Sequence, residues 1–219
     1  NGIEFQTTLP PYADVTSTLY GVGYKSEKLD YRFNPRKGYI LYFTAGAGNK
    51  IIRKNPKLNP VVYNGLVLNT VQYSGELEFG YFFPAKNRSV IFTRTNSAYT
   101  YNSYSASTFQ NELYRIGGLK TLRGFDEESI NATAYSILTL EYRYLLEENS
   151  YLYLFADGAY VENISRGIAE YDTPYGFGTG ISFETKAGIF SLNYALGSQK
   201  GNPIDIKGGK VHFGIVNYF

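Results

Sequence analysis

Apolar residues in this chain recur at every second position, and the i, i+3, i+4 spacing of a buried helix is not sustained anywhere. From 131 to 147, Leu138, Leu140, Tyr142 and Tyr144 alternate with Ile137, Thr139, Glu141 and Arg143. From 173 to 185, Phe177, Thr179, Ile181 and Phe183 alternate with Gly178, Gly180, Ser182 and Glu184. From 187 to 197, Phe190, Leu192, Tyr194 and Leu196 alternate with Ile189, Ser191, Asn193 and Ala195. A period of two places such residues on opposite faces of a strand. The pattern predicts an all-β chain of about ten strands, at 2–9, 16–27, 38–49, 65–83, 88–101, 131–147, 150–162, 173–185, 187–197 and 208–219.

The connections alternate in length. Pro84-Ala85-Lys86-Asn87, Glu147-Glu148-Asn149 and Lys186 read as tight turns, whereas 50–64, 102–130, 163–172 and 198–207 are longer and polar. Short turns on one side and long loops on the other are the pattern of an antiparallel transmembrane β-barrel. The exception is 28–37, a longer connection on the short-turn side. An even strand count leaves both termini on that side, which in such a barrel faces the periplasm.

A soluble barrel also alternates, but its outward face should carry Lys and Glu. Here the faces opposite the apolar ones hold Gly, Ser, Thr, Asn and a few charges, while the apolar faces are rich in Tyr and Phe. Aromatics reach 17%, with 23 Tyr and 15 Phe, and charged residues only 18%, against about 25% in soluble domains. No stretch approaches the roughly 20 apolar residues of a spanning helix, but a spanning strand needs only about 9–11 residues. The pattern therefore favours apolar side chains turned outward to lipid, with aromatic girdles.

The residue inventory excludes several chemistries. There is no Cys, so no disulfide scaffold, thiolate metal site or cysteine nucleophile. His212 is the single histidine, which leaves no multi-histidine metal centre. Net charge is +2, so no general electrostatic case exists for nucleic acid. Gly176-x-Gly178-x-Gly180 lies within a predicted strand with no helix after it, so close packing of the loop against the wall explains these glycines better than phosphate binding. Glu76 and Glu78 read as solvated lumen charges. No cofactor, metal or catalytic residue is expected, and the chain is not expected to be an enzyme.

The longest loop contains Ile116-Gly117-Gly118-Leu119-Lys120-Thr121-Leu122-Arg123-Gly124-Phe125. This resembles the lumen-folded loop motif of the BamA/TamA family of outer-membrane assembly proteins, a Gly-Gly followed by V/L-R-G-F/Y. Further pieces occur in family order. Leu29-Asp30-Tyr31-Arg32-Phe33-Asn34-Pro35-Arg36-Lys37-Gly38 resembles the D-x-x-x-x-P-x-x-G turn. Leu140-Glu141-Tyr142-Arg143 resembles the first strand after the loop, and Phe155-Ala156-Asp157-Gly158 the F-x-D-x-G strand. Residues 176–195 resemble the penultimate hairpin. His212-Phe213-Gly214-Ile215-Val216-Asn217-Tyr218-Phe219 resembles the C-terminal barrel signal, with His212, Gly214 and Phe219 at its marked positions and Asn217 departing from the usual apolar residue. The resemblance covers roughly 16–219 and is nearest the surface-antigen-type members.

The resemblance implies that residues 1–219 are the C-terminal portion of a barrel of sixteen strands, with the loop at 102–130 folded into the lumen. POTRA repeats, which precede such barrels, are not in the chain. The loop residues of interest are Gly117, Gly118, Leu122, Arg123, Gly124 and Phe125. The resemblance implies that Glu141 and Asp157 on the inner wall clamp Arg123, that Gly124 lets the backbone approach the wall, and that Phe125 packs on Tyr153 or Phe155. Gly214 is expected to weaken and bend the last strand. The implied place is the outer membrane of a Gram-negative bacterium. The implied function is assembly and insertion of other barrel proteins, through a lateral seam and the lumen loop. Implied partners are outer-membrane lipids and lipopolysaccharide, unfolded outer-membrane client proteins and accessory lipoproteins. Two alternatives stay open: a polypeptide secretion translocator of the same family, and a barrel that anchors a patatin-like lipase.

Overall fold

The computed structural model describes residues 9–216. Of the predicted strand at 2–9 all but Leu9, which is not in a strand, lies outside the described residues, as does the C-terminal Phe219. Twelve strands are described: β1 (Asp14–Leu29), β2 (Gly38–Arg53), β3 (Asn69–Pro84), β4 (Ser89–Asn102), β5 (Tyr114–Ile116), β6 (Ile130–Ala132), β7 (Ala134–Leu145), β8 (Tyr151–Ser165), β9 (Ile168–Asp172), β10 (Tyr175–Thr185), β11 (Gly188–Ser198) and β12 (Lys210–Val216). Four single-turn 3-10 helices fall in connections. Among the described residues no helix is long and apolar enough to cross a membrane.

One antiparallel sheet runs β1-β2-β3-β4-β7-β8-β10-β11-β12, with β9 also on β8. β8 meets β9 and β10 in one unbroken register, from Ser165↔Ile168 to Tyr151↔Ser182. The two are a single long strand interrupted at Pro174, which has no N–H to donate but still accepts from Ala159 N at 2.8 Å. Among the described residues the sheet is open. β1 pairs only with β2 and β12 only with β11, so neither closure nor sixteen strands is present there.

The strand pattern departs from the sequence reading at three places. The connection 163–172 is not a loop: β8 and β9 form a hairpin through Arg166 and Gly167, both at positive φ (53° and 78°), as a two-residue hairpin turn requires. The predicted strand 131–147 breaks at Thr133. Its Oγ1 donates to Glu162 O and accepts from Ile164 N, and β6 turns away to pair with β5. The loop 102–130 accordingly holds two 3-10 turns and the β5–β6 hairpin.

Register puts the bulky residues on one face. Phe43 lies opposite Tyr24 and Leu77, Leu138 opposite Gly158, and Leu192 opposite Phe213. This outer face is exposed and apolar throughout, with Tyr20, Val22, Leu138, Leu140, Leu154, Val211 and Phe213 all bare. Such a surface is unfavourable in water and suited to lipid. The inner face carries the core. At the short-turn end, six consecutive strands contribute Leu29, Ile40, Phe82, Val90, Phe92, Leu145 and Tyr151 to one cluster. The connection 28–37 crosses beneath it. Asp30 Oδ1 accepts from Arg36 N and Lys37 N (2.9 and 3.1 Å), Asn34 Nδ2 donates to Glu148 O (3.0 Å), and Asn149 Nδ2 donates to Tyr31 Oη (3.2 Å).

Candidate functional site

The loop between β4 and β7 lies on the inner face and is fastened at three levels. Its entry is held by β2. Lys50, whose side chain is fully buried, donates to Ser107 O (2.5 Å) and pairs with Glu112 Oε2 (2.6 Å), 5.9 Å from the Phe109 ring centroid. Glu112 Oε1 also accepts from Phe109 N (2.9 Å). In the β5–β6 hairpin, Tyr114 donates to Tyr99 O (3.4 Å). Burial, then the Glu76 charge, pushes its hydroxyl pKa up to about 12, so it stays a donor.

The middle of the loop is the Arg123 cluster. Arg123 Nε donates to Asp157 Oδ2 (2.7 Å) and Nη2 to Asp157 Oδ1 (2.8 Å), a bidentate fork. Nη1 donates to Glu141 Oε2 (2.7 Å), and the Arg123 backbone N–H adds a bond to Asp157 Oδ2 (3.2 Å). The guanidinium lies 3.6 Å above the Phe155 ring centroid. Glu141 in turn accepts from Arg143 Nε (2.6 Å), whose guanidinium sits among Phe82, Phe92 and Tyr151. All four charged side chains are nearly excluded from solvent. Burial works against the Arg123 charge, but Asp157 and Glu141 more than offset it and raise its pKa. The arrangement holds one shape rather than performing bond chemistry: every charge is paired, and removing one member leaves its partner buried and uncompensated.

The tip of the loop is shaped by Gly117, Gly118 and Gly124, all at positive φ (116°, 93° and 95°). Gly118 N donates to Leu122 O (3.0 Å), and Thr121 Oγ1 both accepts from Gly117 N and donates to Gly117 O (2.9 Å each). At Gly124 a Cβ would stand 2.8 Å from the Leu196 carbonyl carbon, so only glycine lets the tip touch β11. Leu122 is fully buried and packs with Ile116, Phe125, Ala132, Ile137 and Val161.

The structure therefore brings Arg123, Glu141 and Asp157 together, and it alters three other expectations. Phe125 does not pack on Tyr153 or Phe155. It joins the Leu122 cluster, because the Arg123 guanidinium already covers the Phe155 face. Gly214 is not simply a weak point in the last strand, since the space its missing side chain leaves is filled by Leu119. Of the three glycines on β10, only Gly176 makes room for the loop, at the Arg123 carbonyl; Gly178 and Gly180 seat the rings of Phe155 and Tyr153. His212 accepts from Gly124 N at Nε2 (3.3 Å), so this C-terminal-signal residue also contacts the motif. Sequence reasoning missed Lys50, Glu112 and Arg143. Arg143 carried a signal, since it lies two positions after Glu141 on the same inner face; Lys50 and Glu112 carried none.

Among the described residues no group of acidic or histidine side chains is placed to hold a metal ion. Residues 12–219 match the Omp85 superfamily domain. No curated protein matches the chain.

Proposed function

The chain belongs to the Omp85 superfamily, and on that premise we propose that it assembles and inserts other β-barrel proteins into the bacterial outer membrane, as BamA/TamA-type members do. The superfamily is one of outer-membrane protein insertion and secretion, which is the coarse function. The observation that carries the finer reading is the pairing of two features. The loop is clamped to the inner wall by Arg123, and strand β12, the last described one, leaves one edge unpaired among the described residues. An unpaired edge is a template for an incoming strand. A clamped loop keeps that edge in a fixed register while the template works.

The proposed activity needs no cofactor and makes or breaks no covalent bond. Its partners are unfolded client proteins, outer-membrane lipids with lipopolysaccharide, and accessory lipoproteins. The chain has no native Cys, so engineered pairs report single contacts cleanly. A cysteine on the exposed edge of β12 is expected to form a disulfide with a cysteine on the terminal strand of a stalled client. Crosslinks that appear only on lumen-facing positions, with the client recovered beyond the membrane, would instead support secretion. That second reading draws on the polar inner face near β1–β4, where Ser17 bonds Gln72 (2.7 Å) and Gln72 bonds Thr100 (3.0 Å). Anchoring of a patatin-like lipase has no specific observation in its favour.

A further inference from the structure

The last described strand, β12, is paired with β11 over only seven residues, Ala195↔Lys210 to Ile189↔Val216. Three contacts from the loop tip hold it from the inner side. Leu119 fills the space above Gly214, Lys210 Nζ pairs with Asp126 Oδ1 (2.8 Å), and Gly124 N donates to His212 Nε2 (3.3 Å). The third is conditional in a way the other two are not. A backbone N–H can only donate, so Nε2 must carry its lone pair and the imidazole proton must sit on Nδ1. That Nδ1 lies 4.0 Å from Glu127 Oε1.

We propose that His212 is a pH-sensing latch between the loop tip and the last strand, closed while the imidazole is neutral and released when it is protonated. Protonation places an N–H where Gly124 N–H already points, so two donors face each other and the bond is lost. The charged groups facing the ring govern how far the release spreads. From the loop these are Glu127, Asp126 and Arg123, and from its own strand Lys210; the residue opposite on β11 is the uncharged Asn193, whose Nδ2 donates to Tyr153 Oη (3.3 Å). An imidazolium attracts Glu127, which now accepts from Leu119 N (2.8 Å), and competes with Lys210 for Asp126. The remaining two contacts of the tip are thereby weakened together. Arg123 is still held by Asp157 and Glu141, so release stays confined to the tip residues on either side of it, 118–120 and 124–127. The sign is fixed by the geometry: the contact is present above the imidazole pKa, ordinarily about 6.5, and lost as pH falls through it. The inference concerns how β12 is held, and it stands whether the barrel inserts or translocates.

The test is hydrogen exchange on the whole chain in lipid nanodiscs at pH 7.5 and pH 5, corrected for the intrinsic pH dependence of amide exchange. Peptides covering 117–127 and 210–216 are expected to lose protection severalfold at pH 5, as the imidazolium becomes populated. Peptides carrying Glu141 and Asp157 are expected to keep theirs. His212→Gln offers an acceptor that does not titrate, and its tip is expected to stay protected at both pH values. Unchanged wild-type protection at pH 5 would overturn the latch. An equal loss in wild type and His212→Gln would assign the pH sensitivity to another group and remove His212 as the sensor. The wild-type comparison decides the first point even if the variant fails to fold.

Discussion

Arg123 binds two carboxylates and one ring, so its contribution depends on geometry as much as on charge. Arg123→Ala leaves Asp157 on a buried wall without its cation, while Glu141 keeps Arg143, a change that costs about 3–5 kcal/mol in comparable buried pairs. The expected outcome is a barrel that loses its folded electrophoretic mobility at clearly lower temperature and a loop newly open to protease. Arg123→Lys keeps the charge but loses the fork to Asp157, so it should fall between wild type and alanine. Equal melting of the lysine variant and wild type would mean that charge alone suffices. At Gly214, Gly214→Ala sets a methyl against Leu119. It should loosen the tip, and Leu119→Ala in the same chain should restore much of the loss, a coupling readable in a double-mutant cycle.

At the scale of elements, the loop has an entry anchor on β2 and a central anchor on β7 and β8, and the two should fail independently. Lys50→Met removes the partner of Glu112 while retaining an apolar stem. Amide exchange should rise around 104–113 and stay slow around Arg123; a rise over the entire loop would show a single cooperative unit instead. The connection 28–37 gives a pH prediction. Burial is the largest single influence and raises the Asp30 pKa, but the backbone N–H groups of Lys37, Arg36, Asp30 and Tyr31 together prevail and lower it below the ordinary carboxylate value. Its contribution is therefore present above the unfolded pKa of about 3.9 and is lost as pH falls through the lower folded value. Acidification through that window should open the turn at 30–37 in wild type, and Asp30→Asn should abolish the pH step.

These elements were unevenly legible in the sequence. Period-two alternation located each long strand because one face of every strand meets a different medium from the other. Arg123, Glu141 and Asp157 could be singled out by the resemblance of the loop motif and its wall strands, and the strand period added only that both carboxylates face away from the apolar side. The Lys50–Glu112 pair could not, since the two lie 62 residues apart and each reads as an ordinary polar residue near a strand end. The hairpin at 163–172 was hidden for a related reason: its tip is polar, and Pro174 interrupts the ladder just where the strand would be sought. Phe125 was misplaced because an aliphatic cluster around Leu122 competes with the aromatic one of Tyr153 and Phe155, and the Arg123 guanidinium already covers the Phe155 face.

At the scale of the molecule, the sheet has a lipid-facing outer surface, an inner face filled at one end by aromatics and in the middle by the loop, and two free edges among the described residues. Unpaired backbone groups are costly in lipid, so those edges must be met by other strands, and the proposed function makes a client strand one of them. The most direct measurement is the folding rate of an unfolded outer-membrane barrel added to liposomes containing this protein in full-length form, tracked by the client's change in electrophoretic mobility. The account predicts faster client folding than in empty liposomes, and a gain reduced by Arg123→Ala beyond what its lower folded fraction explains. Client folding at the empty-liposome rate, with the protein itself fully folded in the membrane, would contradict it.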